Sequence, residues 1–263
     1  MAIPFLQAAL AVGAGGLVGL VLGLIGGGGS IIAVPLLVYL VGVSSPHVAI
    51  GTAAIAVALN AAMSLSAHAR QGTVKWPCAI VFAAAGIAGS ALGAEVGKAL
   101  DGQKLLALFG VIMVTVGLAM FRKPATDSDP AVRLTEATAA HLLPRLIGIG
   151  FGVGLLAGFF GIGGGFLIVP GLMLATGMPM ANAVGTSLVA VTAFGLTTSA
   201  SYAASGFVDW RLAGILIAGG AMGSVMGARL SISLSAHKTL LTKLFASTVL
   251  AIGTVLMMRG LTG

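Results

Sequence analysis

Residues 23–35 read GLIGGGGSIIAVP, and residues 158–170 read GFFGIGGGFLIVP. The two stretches align at an offset of 135, which pairs Gly23, Gly26, Gly28, Gly29, Val34 and Pro35 with Gly158, Gly161, Gly163, Gly164, Val169 and Pro170. Upstream, Gly15 and Gly19 pair with Gly150 and Gly154. One residue is lost before Gly51-Thr52, which meets Gly185-Thr186 at an offset of 134. That offset carries Gly72, Val74 and Trp76 onto Gly206, Val208 and Trp210, and Gly86, Gly89, Ser90 and Gly93 onto Gly220, Gly223, Ser224 and Gly227. An ordered series of matches with one gap marks an internal duplication.

The solvent of this duplicated chain is lipid. Of its 263 residues 58% are hydrophobic and 7% charged, where a soluble domain carries about a quarter charged residues. The mean hydropathy is +1.13. Thirteen basic and six acidic side chains cannot build a water-facing surface over so much apolar chain. The apolar segments have the length of spanning helices, about 20 residues each, and the ten-residue alternation of a membrane barrel is absent. The formal charge of +7 sits singly at helix ends, as in positive-inside loops, so no nucleic-acid partner is expected. Cys78 is the only cysteine, which excludes an intrachain disulfide and a thiolate metal cluster. Met1–Gln7 lacks a positive leader and reads as the start of a retained first span.

The expected fold is all-α and polytopic, with about five helical segments per repeat. In the first repeat (1–121) they lie near 6–25, 30–42, 47–69, 74–98 and 103–121. In the second (144–263) they lie near 144–160, 165–177, 181–204, 209–230 and 239–258. Between them, 122–143 holds Asp127, Asp129, Glu136, Pro124 and Pro130 and reads as a cytoplasmic linker. An odd number of segments makes the repeats inverted. With the Arg70/Lys75 loop in the cytoplasm, that side collects Arg70, Lys75, Arg122, Lys123, Arg133, Arg145, Arg229, Lys238 and Lys243, against Lys98, Lys104, Arg211 and Arg259 outside. This bias follows the positive-inside rule and puts both termini outside.

The glycine runs are the candidate site. Each glycine costs about 1 kcal/mol against alanine within a helix, so Gly26, Gly27, Gly28 and Gly29 end one helix, and a short one starts at Ser30 with Pro35 inside it. Gly161, Gly163, Gly164 and Gly165 do the same in the second half. Such broken or re-entrant helices in corresponding places of two repeats point to a transporter binding site. Helix N-termini there offer N–H groups and positive dipole ends to an anion; close packing alone is the alternative. Packing is the better account of the four-residue glycine spacings elsewhere, as at Gly15/Gly19/Gly23 and Gly89/Gly93/Gly97.

Among polar residues inside the spans, Thr52, Asn60, Thr186 and Ser187 are candidate substrate donors. Thr52, Asn60 and Ser64 lie near one helical face, and any single hydroxyl can equally bond a neighbouring helix. Glu95, His68 and Arg229 are weaker candidates for gating or proton coupling. No Ser/His/Asp arrangement, carboxylate pair or nucleotide motif is present, so no enzyme, cofactor or bound metal is expected.

The chain resembles the sulfite exporter TauE/SafE permeases, also called the toluene sulfonate uptake permease family. The resemblance rests on GLIGGGGSIIAVPLL at 23–37, HVAIGTAAIAVALNA at 47–61, and their echoes GFFGIGGGFLIVP at 158–170 and NAVGTSLVAVT at 182–192. It covers nearly the whole chain. It implies transport of sulfur-containing anions such as sulfite, sulfonates or sulfoacetate across a bacterial inner membrane. The second half departs from the pattern: Ile162 interrupts its glycines and Gly165 replaces Ser30, so the two half-sites should differ chemically. The expected function is a secondary carrier for such an anion working by alternating access; a passive anion channel, or a carrier for another small organic anion, is the alternative. The expected partners are the small anion, the bilayer and a coupling proton or ion, with the oligomeric state, a homodimer included, left open.

Overall fold

The computed structural model describes residues 5–26, 28–121, 134–161, 163, 165–233, 246–247 and 249–258. Among these there is no strand. The helices are α1 (Phe5–Ile25), α2 (Gly29–Pro35), α3 (Pro46–Arg70), α4 (Trp76–Ala99), α5 (Gly102–Phe121), α6 (Glu136–Phe160), α7 (Gly165–Thr176), α8 (Met180–Ala204), α9 (Trp210–Ser233) and α10 (Val249–Met258). Six of them, α1, α3, α4, α6, α8 and α9, are long and apolar enough to cross a membrane. They take the first, third and fourth places of each half, so the pattern of helix lengths repeats as the sequence does. The chain is an all-α polytopic membrane protein.

Local chemistry sets the boundaries. Ser45 accepts a hydrogen bond from the Val48 N–H and Pro46 occupies the first turn of α3, a side-chain cap followed by a ring that needs no N–H partner. At Pro35 the missing N–H turns α2 into one π-helical turn, Leu36–Leu40. The second half differs from expectation at its start. α6 begins at Glu136 rather than near 144, because Thr135 and Thr138 form a reciprocal capping box. Pro144 lies inside α6 instead of at its start. The linker residues 122–133 lie outside the described set.

The halves pack by exchange. α1 packs on α9 and α4 on α6, while α3 faces α8 and α2 touches α7. The first two interfaces are backbone against backbone. A Cβ on Gly19 would fall on the carbonyl oxygen of Gly220, and its counterpart on Gly154 would fall on that of Gly86. Small residues let helices approach this closely where lipid supplies no hydrophobic drive. Two hydrogen bonds repeat the exchange. Thr52 Oγ1 on α3 accepts from the Asp209 N–H ahead of α9 at 3.0 Å. Thr186 Oγ1 on α8 accepts from the Lys75 N–H ahead of α4 at 3.0 Å. α3 and α8 are the most deeply buried of the six long helices; Trp76 and Trp210, which open α4 and α9, are exposed as interfacial residues are.

Candidate functional site

Both glycine runs break the chain as expected. α1 stops at Ile25 and Gly26 takes φ 76°; α6 stops at Phe160 and Gly161 takes φ 65°. A side chain at either place would be strained in this left-handed region. Gly26, Gly28, Gly29, Ser30, Gly161, Gly163 and Gly165 are all buried in protein, the condition under which non-helical backbone survives at membrane depth. Gly27 and Gly164 lie outside the described residues. Gly26 packs against Val184 and Ser187 of α8, and Gly161 against Ile50 of α3. The broken segment of each repeat is therefore held by the third helix of the other.

A narrow cavity of ≈ 10 Å³, room for about one water molecule, lies where the first repeat meets Leu216 of the second. Its walls come from α1 (Gly15, Val18), α2 (Ala33, and Leu37 of the π turn), α3 (Ala53, Ala56, Val57, Asn60) and α9 (Leu216). It lies against the flank of α2, a turn or more beyond the glycine break. Gly163 approaches it from the other half: a Cβ there would stand 3.6 Å from Val57.

Asn60 is the polar residue of this cavity. Its side chain is fully buried, and neither Nδ2 nor Oδ1 has a hydrogen-bond partner. One helical turn on, Ser64 is also buried with an unpartnered Oγ, as is its counterpart Thr198 in α8. Leaving such a group unsatisfied costs about 1–3 kcal/mol. An amide retained at that cost, in a wall otherwise of glycine and aliphatic side chains, is suited to a ligand that brings its own polar atoms.

The other candidates sit elsewhere. Thr52 and Thr186 are committed to the bonds between repeats, and Ser187 Oγ donates to the Val184 carbonyl at 2.7 Å. The ring nitrogens of His68 lie 3.3 Å from Thr73 Oγ1 and 3.4 Å from the Gly23 carbonyl oxygen, at the end of α3. Glu95 and Arg229 are exposed. The Glu95 carboxylate accepts from Lys98 Nζ at 2.9 Å and from Ser201 Oγ at 2.8 Å. The cavity's aliphatic wall was missed, though Ala53, Ala56, Val57 and Asn60 at i, i+3, i+4 and i+7 mark one face of α3.

The sulfite exporter TauE/SafE family model matches residues 11–256. A probable membrane transporter protein of Xylella fastidiosa is 47% identical over 94% of each chain. The probable membrane transporter protein YunE of Bacillus subtilis is 32% identical over 79% of this chain and 82% of its own. One of Haemophilus influenzae is 29% identical over 73% of this chain and 72% of its own. No solved structure gives a significant match. Two glycine-broken repeats exchanging helices around a buried amide thus occur in a chain that belongs to the sulfite exporter TauE/SafE family of membrane transporters.

Proposed function

We propose that this transporter is a secondary carrier, not an enzyme, that moves a small sulfur-containing anion of the sulfite, sulfonate or sulfoacetate class across a bacterial inner membrane. The observation that carries this reading is the unpartnered Asn60 amide in a cavity walled by both repeats. Asn60 supplies hydrogen bonds, and the N-terminal turn of α7, whose preceding Gly163 lies beyond Val57 of the wall, offers backbone N–H groups as the halves move apart. The repeats are inverted in the membrane, with both termini outside and the 122–143 linker in the cytoplasm. Relative rocking of the halves exposes the cavity to each side in turn, and the glycine breaks provide the hinges. No nucleotide motif accompanies the spans, so an ion or proton gradient supplies the energy.

The test is an uptake screen in proteoliposomes across sulfite, thiosulfate, sulfoacetate and taurine, with and without a pH gradient. A carrier gives saturable uptake of at least one sulfur anion and accelerated exchange from the opposite side. Uptake confined to cations or neutral solutes rejects the substrate class, and flux without saturation or exchange rejects the carrier in favour of a channel.

A further inference from the structure

At the Arg70 end of α3, away from the cavity, His68 is buried with Nε2 3.4 Å from the Gly23 carbonyl oxygen of α1 and Nδ1 3.3 Å from Thr73 Oγ1. A carbonyl only accepts, so Nε2 carries a hydrogen. The Thr73 hydroxyl both gives and accepts, and its other neighbour is the His68 main-chain oxygen at 3.1 Å. In the neutral ring, Nδ1 takes the hydroxyl hydrogen, and the main-chain oxygen keeps the Thr73 N–H at 3.3 Å. In the imidazolium, Nδ1–H gives to Oγ1 and the hydroxyl hydrogen turns to the main-chain oxygen. One bond rotation thus keeps both ring nitrogens paired in either state. We infer that His68 is the proton-binding site through which this carrier is coupled to a pH gradient. This inference rests on the carrier reading above and names the residue that takes up its coupling proton.

Coupling comes from what the ring holds. Gly23 lies in the last turn of α1, where carbonyls lack helical partners and the helix dipole is negative. His68 therefore caps α1 just ahead of Gly26, whose positive φ turns the chain. A protonated ring bonds this carbonyl more strongly than a neutral one. Proton binding pins α1 to α3, and a movement that draws Gly23 away weakens proton binding by the same factor. The second acceptor is held by the other repeat: the Thr73 carbonyl accepts from Asn182 Nδ2 of α8 at 3.0 Å, and Gly185 packs on the Thr73 side chain. A shift between the repeats thus disturbs both partners of the ring. The duplication does not repeat the site. Tyr202 stands in the place of His68, and its buried hydroxyl has no partner.

The surroundings leave this titration to His68. α1 and α2 carry no titratable side chain in their described spans. At this end of α3, Arg70 is exposed, Lys75 precedes α4, and Arg229 is exposed just past the stretch of α9 that packs on Gly23. α8 brings Asn182 and Gly185, which do not titrate. Tyr39, His47, Asp101, Lys104, Tyr202 and Asp209 lie toward the Pro46 end of α3. His68 is the described group at the Arg70 end whose charge changes at about pH 5 to 8.

The experiment has two arms on the full chain. Nuclear magnetic resonance of the imidazole nitrogens follows histidine protonation over about pH 5 to 8, and proteoliposomes measure sulfite and sulfoacetate uptake with and without a pH gradient. Sulfoacetate does not change its ionisation in this range, which separates the protein's proton from the substrate's. The expected result is one ring, missing from His68→Gln, that passes reversibly between one and two protonated nitrogens. Thr73→Val, at a partly exposed position, removes the acceptor of Nδ1–H and lowers that ring's proton affinity roughly tenfold; this shift assigns the signal even where His68→Gln does not fold. In the transport arm His68→Gln keeps exchange of labelled for unlabelled anion and loses acceleration by the gradient. A His68 ring that stays neutral throughout, wild-type uptake that ignores the gradient, or acceleration undiminished in His68→Gln overturns the inference and leaves the carrier reading standing. Absence of uptake of every sulfur anion by the wild-type chain overturns both.

Discussion

Asn60 and Phe194 occupy the same place in the two repeats and press on equivalent glycines, Gly220 of α9 and Gly86 of α4. The duplicated scaffold thus holds an unpartnered amide on one side and an aromatic ring on the other. Phe194 is fully buried and stacks on Phe82 with centroids 6.3 Å apart. At this position one half holds an unsatisfied amide and the other a packed ring.

Stability and transport should therefore part company at these two positions. Asn60→Leu removes two buried unpaired polar atoms at nearly constant volume and should stabilise the protein by about 1–3 kcal/mol while abolishing anion flux. Phe194→Ala leaves a void and should cost about 3–5 kcal/mol. Cys78, buried and the only thiol of the chain, supplies the measurement, since a thiol-reactive fluorophore labels it as the protein unfolds on heating. An Asn60→Leu variant less stable than the parent would mean that the amide has a partner in the folded state.

The reciprocal hydroxyl bonds make a symmetric prediction. Thr52→Val and Thr186→Val each strip the acceptor from a backbone N–H of the opposite repeat. Each should lower stability by about 1–2 kcal/mol, to the same extent within error. Denaturation of the two variants side by side checks this, and a silent variant on one side would show that the two bonds are not equivalent.

Glycine positions should divide by what faces them. Gly19→Ala and Gly154→Ala drive a methyl group into the backbone of the facing helix and should destabilise by about 1–3 kcal/mol. Gly13 and Gly148, also equivalent in the repeats, have open space where a Cβ would point. Alanine there should stabilise by about 0.5–1 kcal/mol through helix propensity alone. The four melting temperatures test the division.

Glu95 is paired with Lys98 and Ser201 at the exposed end of α4 and lies outside the cavity. Glu95→Gln should leave the initial rate of uptake and its dependence on a pH gradient unchanged. A lost gradient dependence would place proton coupling there.

Much of the fold was legible because lipid imposes few rules. Apolar length, glycine breaks and the single-gap repeat located nearly every helix within a few residues. The start of α6 was not legible, since the Thr135/Thr138 capping box lies in a stretch whose charges and prolines read as linker. Site legibility was narrower. Asn60 stands out as an amide in an apolar run, but Thr52 and Thr186, equally polar and equally repeated, are bound between the halves. Sequence spacing puts a hydroxyl on a face and does not tell which backbone N–H arrives from a helix 157 residues away, as the Asp209 N–H does at Thr52. The cavity wall escaped for a related reason: alanine, valine and leucine carry no sign that distinguishes lining a void from filling one.

The most direct measurement is counterflow of labelled sulfite in proteoliposomes containing the wild-type chain or Asn60→Leu at matched, folded amounts. Saturable uptake accelerated by unlabelled sulfite on the opposite side, and lost in Asn60→Leu, is the expected result. Undiminished counterflow in Asn60→Leu would contradict the assignment of substrate to this cavity.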